Sequence, residues 1–180
     1  MTYVRGIIVA LVALALALHY SYPSVARHTR THGTAHTEVS TTTAYEVERV
    51  IDGDTVVVLI GAAPVTIRLI GIDTPETVDP RKPVQCFGAE ASQRAKSILE
   101  SRRVFLETDP SQGDRDTYGR LLAYVFLSDG SNFNQKMIAE GYAHEYTYDL
   151  PYKYQNEFRK AERQARQKEL GLWAPGVCAH

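Results

Sequence analysis

An arginine and two carboxylates are crowded into nine residues, "RLIGIDTPE", at positions 68–76. Arg68 lies in an apolar, strand-like stretch, Asp73 ends that stretch, and Glu76 follows three positions later. The pair Asp73 and Glu76 also fits the capping box of a helix. However, no apolar helical period follows Glu76, and Pro80 and Pro83 interrupt the next segment. A chemical role in a functional site therefore explains these residues better than helix capping does.

A second group of carboxylates lies in "DGDT", residues 52–55, which taken alone is a common turn signal. Asp54 opens the second predicted strand and Asp73 closes the third, so antiparallel pairing would bring their carboxylates together. Close carboxylates repel each other unless a cation lies between them, and calcium or magnesium prefers such oxygen ligands. Pro75 favours an extended Thr74, whose backbone carbonyl becomes a candidate third ligand.

Two arginines complete the candidate site, Arg68 and Arg120, the second at the end of "DTYGR". Each has a structural alternative, since Arg68 fits the solvent face of a strand and Arg120 fits the start of one. Guanidinium groups bind phosphate through two hydrogen bonds and stabilise charge on its oxygens. Glu76, just outside the candidate ligands, is placed to orient or deprotonate a water molecule. Together these groups predict phosphodiester hydrolysis.

Four segments, "VIDGDTV", "RLIGIDTPET", "GAEAS" and "DTYGRLLAY", resemble the thermonuclease (staphylococcal nuclease-like) family in order and spacing. The similarity runs from about Tyr45 to Trp173. It implies that calcium is bound by Asp54, Asp73 and the Thr74 carbonyl, with Asp52 supporting them from beside the metal. It also implies that the catalytic residues are Arg68, Glu76 and Arg120.

The resemblance further implies a calcium-dependent endonuclease that cleaves DNA and RNA and leaves 3′-phosphate products. Residues expected around the nucleotide are Tyr118, Tyr146, Tyr148, Arg81 and Lys82, the last two in a basic loop where unaided they would be ordinary surface charges. For the other tyrosines of this region, Tyr142, Tyr152 and Tyr154, we expect packing under the last helix. We expect a monomer without an obligate protein partner.

The predicted elements have the order of an OB-fold. Strands are predicted at 45–51, 55–60, 65–72, 103–108 and 120–127. Helices are predicted after Cys86, at 132–141, and from about Tyr154 to a stop before Gly171. A helix between the third and fourth of five strands is typical of an OB-fold barrel, so we expect an α+β protein with three helices packed on the barrel.

The N-terminal segment predicts export. Residues 1–26 contain Arg5, the apolar run Ile7–Leu18 and the small-x-small sequence "SVA". These features are typical of a signal peptide, with an uncleaved membrane anchor through residues 7–18 as the alternative. Residues 27–43 are rich in threonine and histidine and predict a flexible linker, which leaves 44–180 as the nuclease-like domain. We therefore expect a secreted or otherwise extracytoplasmic protein.

Charge and cysteine content limit the remaining possibilities. The chain of 180 residues has a net charge of −1, and residues 44–180 hold 17 Lys and Arg against 20 Asp and Glu, a net −3. Attraction of a polyanion must therefore be local. In an exported protein, Cys86 and Cys178 favour a disulfide over a metal site, with two buried thiols as the alternative.

Two other functions compete with a nuclease. One is a non-catalytic OB-fold module that only binds nucleic acid or protein, which would lack one or more of the candidate arginines, the glutamate or the aspartates. All of these residues are present. The other is a calcium-dependent phosphodiesterase acting on smaller substrates, which the sequence does not separate from a nuclease.

Overall fold

A computed structural model of the protein describes residues 41–77 and 83–178. The predicted signal or anchor segment, the linker up to residue 40, and Arg81 and Lys82 lie outside this part. Within the described residues, no helix is long and apolar enough to cross a membrane.

A closed barrel of five strands forms the centre of the fold. Its strands are β1 (Ala44–Val50), β2 (Thr55–Ile60), β3 (Ala63–Leu69), β5 (Arg103–Glu107) and β6 (Leu121–Phe126). They are hydrogen-bonded in the order β1-β2-β3-β6-β5, and β1 pairs with β5 to close the barrel. Only β3 and β6 run parallel, while the other barrel neighbours are antiparallel. Apolar side chains such as Val56, Ile67 and Leu106 are buried in the core.

Within the described residues, three helices accompany the barrel: α1 (Gly88–Leu99), α2 (Phe133–Ala139) and α3 (Gln155–Gln167), followed by a short 3-10 turn, Gly171–Trp173. The first helix, α1, buries Ala91, Ala95 and Leu99, and α3 buries Phe158, Ala161 and Ala165. The predicted class, α+β with a five-stranded OB-fold barrel and three helices, is confirmed.

The third predicted strand differs from the prediction because it is broken at Gly71. The barrel strand β3 ends at Leu69, and Ile72–Asp73 forms a separate strand, β4, that pairs with β7 (His144–Glu145). Gly71 has a φ of +78°, and a Cβ atom there would lie 2.6 Å from the ring of Tyr152. Glycine adopts this positive φ without a steric penalty, which other residues rarely do. The apolar run "VTIRLIGI" gives no sign of the break, because Leu69 and Ile72 on either side of the turn are both apolar and buried.

A buried asparagine holds this turn to the barrel. Asn134, in α2, is completely buried. Its side-chain oxygen accepts the N–H of Val125 in β6 (3.0 Å), and its side-chain nitrogen donates to the carbonyl of Ile70 (2.9 Å). Because a buried amide is costly to leave unpaired, these two bonds fix the position of the turn that leads to Asp73.

Two of the three tyrosines expected under the last helix are found there. Tyr152 and Tyr154 have ring centroids 5.5 and 6.2 Å from that of Phe158 in α3. Tyr142 differs from the prediction, since its ring lies 5.4 Å from Phe87 and 6.0 Å from the guanidinium of Arg94 in α1. It directly follows the left-handed turn at Gly141 that ends α2, which redirects the chain.

The two cysteines form a disulfide, as predicted, between Cys86, just before α1, and Cys178 in the C-terminal tail. The bond joins positions 92 residues apart in the chain. It therefore ties the tail to the segment that enters the first helix.

A buried carboxylate, Asp109, organises the segment before α3. Its Oδ1 accepts the N–H (3.0 Å) and hydroxyl (2.8 Å) of Ser111. Its Oδ2 accepts the hydroxyl of Tyr124 and the N–H of Lys153, both at 2.8 Å. Burial by itself raises the pKa of Asp109, but the hydrogen bonds from Lys153, Ser111 and Tyr124 outweigh it, so the pKa lies below its ordinary value.

We expect Asp109→Asn to lower the free energy of unfolding by about 2–4 kcal/mol at pH 7, because the amide places N–H donors against donors. A lowered pKa in the folded state stabilises the fold above the unfolded pKa of about 3.9 and loses that contribution as the pH falls further. The difference between wild type and variant should therefore shrink below about pH 4, as measured by urea unfolding.

The matched control is Asp129→Asn. Asp129 makes the same Asp-x-Ser turn, accepting the N–H and hydroxyl of Ser131, but it is exposed. We expect a much smaller loss there. Equal losses at the two positions would show that the bonds to Tyr124 and Lys153 do not stabilise the fold.

Candidate active site

Arg68 lies between two carboxylates, one just before β2 and the other in β4. Its Nη2 is 3.4 Å from Oδ2 of Asp54 and 3.1 Å from Oδ1 of Asp73. Its Nη1 donates to the backbone carbonyls of Leu69 and Ile72, both at 2.8 Å. These bonds hold a largely buried guanidinium in one orientation at the end of β3.

Asp54 is the buried member of the carboxylate pair, with 6% of its surface exposed. Its Oδ2 accepts both the N–H (2.8 Å) and the hydroxyl (3.0 Å) of Thr74. Its Oδ1 accepts the hydroxyl of Thr55 at 3.0 Å. The predicted ligands Asp54, Asp73 and Thr74 are thus neighbours in space.

Strand register explains most of this convergence. Thr55 in β2 pairs with Arg68 in β3, so Asp54 lies beside the arginine. Asp73 reaches the same place by another route than predicted, because it lies in β4, beyond the turn at Gly71, and not at the end of the third barrel strand. There it is paired with His144 of β7.

Negative charge is concentrated around Asp54. Its N–H is accepted by Oδ1 of Asp52 at 3.1 Å, so the predicted supporting residue is adjacent. Burial and the charge of Asp54 raise the pKa of Asp52 to about 6. The same two causes raise the pKa of Asp73, against the opposing charge of Arg68. Carboxylates crowded in this way are relieved by a bound cation.

Arg120, just before β6, is linked to the same cluster. Its Nε donates to Oδ2 of Asp116 at 2.6 Å, and its Nη1 donates to the hydroxyl of Thr55 at 3.4 Å. Since that hydroxyl donates to Asp54, Thr55 bridges the second arginine to the carboxylate pair. The guanidinium carbon of Arg120 lies 5.3 Å from the ring centroid of Tyr118.

Two supporting residues, Asp116 and Thr55, were not predicted from the sequence. Oδ1 of Asp116 accepts the N–H groups of Tyr118 (3.0 Å) and Arg120 (2.9 Å), in addition to the bond from the arginine side chain. An aspartate that opens a turn ending in Gly119 is a sequence signal for such backbone bonding. Thr55 gives no comparable signal, because threonine is common in strands.

Glu76 is half-exposed and follows the ligand segment. Its charge contributes to the raised pKa of Asp73, which places its carboxylate in the electrostatic environment of the site. Its backbone N–H donates to the side-chain oxygen of Gln85 (2.8 Å), and its carbonyl accepts the N–H of Gln85 (2.9 Å).

The tyrosines expected around a nucleotide are at the surface. Tyr118, Tyr146 and Tyr148 are 83%, 43% and 78% exposed. The N–H of Tyr146 donates to the carbonyl of Gly71, which connects this segment to the turn before Asp73. The rings of Tyr146 and Tyr148 have centroids 6.5 Å apart.

The chain is similar to known proteins over most of its length. The family model described as staphylococcal nuclease homologue matches residues 66–175. The chain belongs to this family. It is 45% identical to a thermonuclease of Staphylococcus hyicus and 44% identical to one of Staphylococcus intermedius, each over 130 residues, which is 72% of this chain and 75% and 76% of those proteins. It is 41% identical over 129 residues to Endonuclease YncB of Bacillus subtilis, covering 71% of this chain and 60% of that protein.

The donor set of this staphylococcal nuclease homologue suits a hard divalent ion that also takes backbone and water ligands. Within residues 41–77 and 83–178, no three His, Cys, Asp or Glu side chains come together as a complete metal site. A cation held here would therefore combine Asp54 and Asp73 with backbone oxygen and water. Calcium accepts such mixed oxygen ligands in flexible geometry.

We expect Asp116→Asn to lower the DNA cleavage rate on the order of 10- to 100-fold, because the guanidinium of Arg120 loses its charged acceptor. Steady-state kinetics should show the loss in kcat. In an Arg120→Ala background the same substitution should have no further effect. A full additional loss in that background would mean that Asp116 acts through some other group.

Proposed function

We propose that the protein is a calcium-dependent endonuclease that hydrolyses DNA and RNA and leaves 3′-phosphate products. Nuclease activity follows from membership of the family, because relatives that are similar to this chain are named thermonuclease and endonuclease. The observation that carries the site assignment is the contact of one Arg68 nitrogen with both Asp54 and Asp73. None of the residues that a non-catalytic relative would lack is missing here.

Asp54, Asp73 and the Thr74 carbonyl would hold the calcium ion, with Asp52 supporting Asp54. The raised pKa values of Asp52 and Asp73 support this proposal, because crowded carboxylates gain most from a divalent cation. When bound, calcium would supply positive charge beside the scissile phosphate. The bonds from Thr74 and Thr55 keep the Asp54 carboxylate oriented before any ion arrives.

Arg68 and Arg120 would bind the phosphate oxygens and stabilise the charge that grows on them in the transition state. Both guanidinium groups are oriented in advance by protein acceptors: carbonyls of β3 and β4 for Arg68, and Asp116 for Arg120. Fixed donors of this kind need little reorganisation during the reaction, which is the source of their effect.

Glu76 would orient or deprotonate the attacking water. Water then attacks phosphorus and the bond from phosphorus to the 5′ oxygen breaks. The 5′ oxygen gains a proton and leaves as a 5′-hydroxyl, and the phosphate stays on the 3′ oxygen. The role of Glu76 is supported by its position three residues after Asp73 and by its influence on the Asp73 pKa. The proposed role concerns the side-chain carboxylate of Glu76. The backbone of Glu76 is hydrogen-bonded to Gln85.

Nucleotide binding would use the exposed tyrosines Tyr118, Tyr146 and Tyr148, which offer aromatic faces or hydroxyl groups to bases and sugars. Arg81 and Lys82 would contact substrate phosphates. Because residues 44–180 carry a net charge of −3, binding should involve few phosphate contacts.

We further propose an extracytoplasmic monomer, secreted or anchored through residues 7–18, with nucleic acid as substrate and no obligate protein partner. The Cys86–Cys178 disulfide supports this localisation, because disulfides persist in oxidising compartments.

Cleavage should require calcium. We expect plasmid DNA, single-stranded DNA and RNA to be cut in calcium and left intact in excess EGTA. Magnesium demands stricter octahedral geometry, so it should bind without supporting comparable turnover. Binding of nucleic acid without cleavage in calcium would indicate a non-catalytic binding module. Cleavage of a small phosphodiester in preference to nucleic acids would indicate a phosphodiesterase that acts on smaller substrates.

Glu76 and Asp54 should separate catalysis from metal binding. We expect Glu76→Gln to keep calcium affinity within about threefold, a free-energy change of under roughly 1 kcal/mol, while kcat falls at least about 100-fold. Asp54→Asn should instead weaken calcium binding first, because it removes a ligand charge. Titration calorimetry combined with steady-state kinetics measures both. Loss of calcium binding in Glu76→Gln with normal binding in Asp54→Asn would reverse the two assignments.

A further inference from the structure

The backbone of Glu76 is bonded to Gln85, a residue nine positions further along the chain. Both of its backbone polar groups are bonded to Gln85: the N–H to the side-chain oxygen at 2.8 Å and the carbonyl to the N–H at 2.9 Å. Glu76 lies beyond the last residue of β4, so no strand pairing fixes it. The position of its backbone is therefore coupled to that of Gln85.

Gln85 is exposed, and so are its neighbours Val84 and Cys86. Hydrogen bonds at the surface compete with water and contribute little on their own. Something other than burial must keep this segment beside Glu76. On one side Gln85 leads into α1, since its carbonyl accepts the N–H of Gly88 at 3.0 Å.

The other restraint is covalent. Cys86, the residue after Gln85, is bonded to Cys178. The tail that carries Cys178 is itself attached to the fold, because Leu172 is buried and its N–H donates to the carbonyl of Gly141 at 2.9 Å. The ring of Trp173 lies 3.8 Å from the guanidinium carbon of Arg166 in α3. The disulfide thus connects Gln85 to a fixed part of the molecule.

The start of α1 lies very close to the backbone of the segment that contains Glu76. A Cβ atom on Gly88 would lie 2.9 Å from the carbonyl oxygen of Pro75 and 3.2 Å from that of Glu76. The start of α1 and the Glu76 segment are therefore packed backbone against backbone. A shift of residues 85–88 would be transmitted directly to Glu76.

We propose that Gln85 and the Cys86–Cys178 disulfide together position Glu76 for catalysis, so that reduction of the disulfide lowers turnover and not only stability. The inference rests on the proposed role of Glu76. Reduction by a dithiol breaks the S–S bond, converts the two cysteines to thiols and oxidises the dithiol to its own disulfide.

Gln85→Met tests the hydrogen-bond arm, because methionine has similar length and no amide acceptor. We expect kcat to fall on the order of tenfold, since a displacement of about 1 Å in a catalytic group can cost that much or more. KM and the calcium Kd should stay near wild type. Gln85→Glu, which keeps an acceptor oxygen, should retain most activity. Gln164→Met, at an exposed position of α3, is the matched control and should retain wild-type kcat.

Cys86→Ser/Cys178→Ser tests the covalent arm at a temperature where circular dichroism shows the variant folded. We expect kcat to fall by a similar factor. Dithiothreitol should bring wild type to the level of this variant and leave the variant itself unchanged. A folded Cys86→Ser/Cys178→Ser protein with wild-type kcat would overturn the role of the disulfide.

The Glu76→Gln background distinguishes positioning of Glu76 from a general structural effect. There Gln85→Met and the double cysteine substitution should cause no further loss of kcat. The same loss in both backgrounds would overturn this inference and leave the proposed function standing. Full activity of Glu76→Gln itself would overturn both the proposed role of Glu76 and this inference.

Discussion

Repulsion among carboxylates is the interaction around which this site is built. Asp54 lies beside Asp52 and shares the Nη2 group of Arg68 with Asp73, and burial makes the crowding more costly. One guanidinium, two threonine hydroxyls and backbone N–H groups offset part of this cost in the protein alone. A divalent cation bound beside these carboxylates would offset more of this cost.

The barrel contributes to this site by bringing strand ends together. Pairing of β2 with β3 sets Asp54 beside Arg68, and the parallel pairing of β3 with β6 brings the start of β6, which follows Arg120, to the same region. Asp73 depends on something less regular, the turn at Gly71 held by Asn134 and Tyr152. A regular continuation of β3 would have carried Asp73 away from Asp54, so the break in the strand is part of how the site is made.

Each candidate residue of the site is held in place by neighbouring groups. Asp116 holds Arg120, two carbonyls hold Arg68, Thr74 and Thr55 hold Asp54, and Gln85 holds the backbone of Glu76. Such support is necessary because long charged side chains lose considerable conformational freedom when ordered. The strength of the support differs, since the partners of Asp54 are buried whereas Gln85 is exposed and relies on a nearby disulfide.

The sequence by itself determined the barrel class, the three helices and the identity of the main candidate residues, because alternation, turn residues and the spacing of Arg68, Asp73 and Glu76 are local properties of the chain. Tertiary structure decided the rest. The break at Gly71, the pairing of β4 with β7, the packing of Tyr142 on α1, and the contacts of Asp116 with Arg120 and of Gln85 with Glu76 all join residues through space. Local periodicity carries no information about such contacts, because they depend on which surfaces meet when the barrel closes.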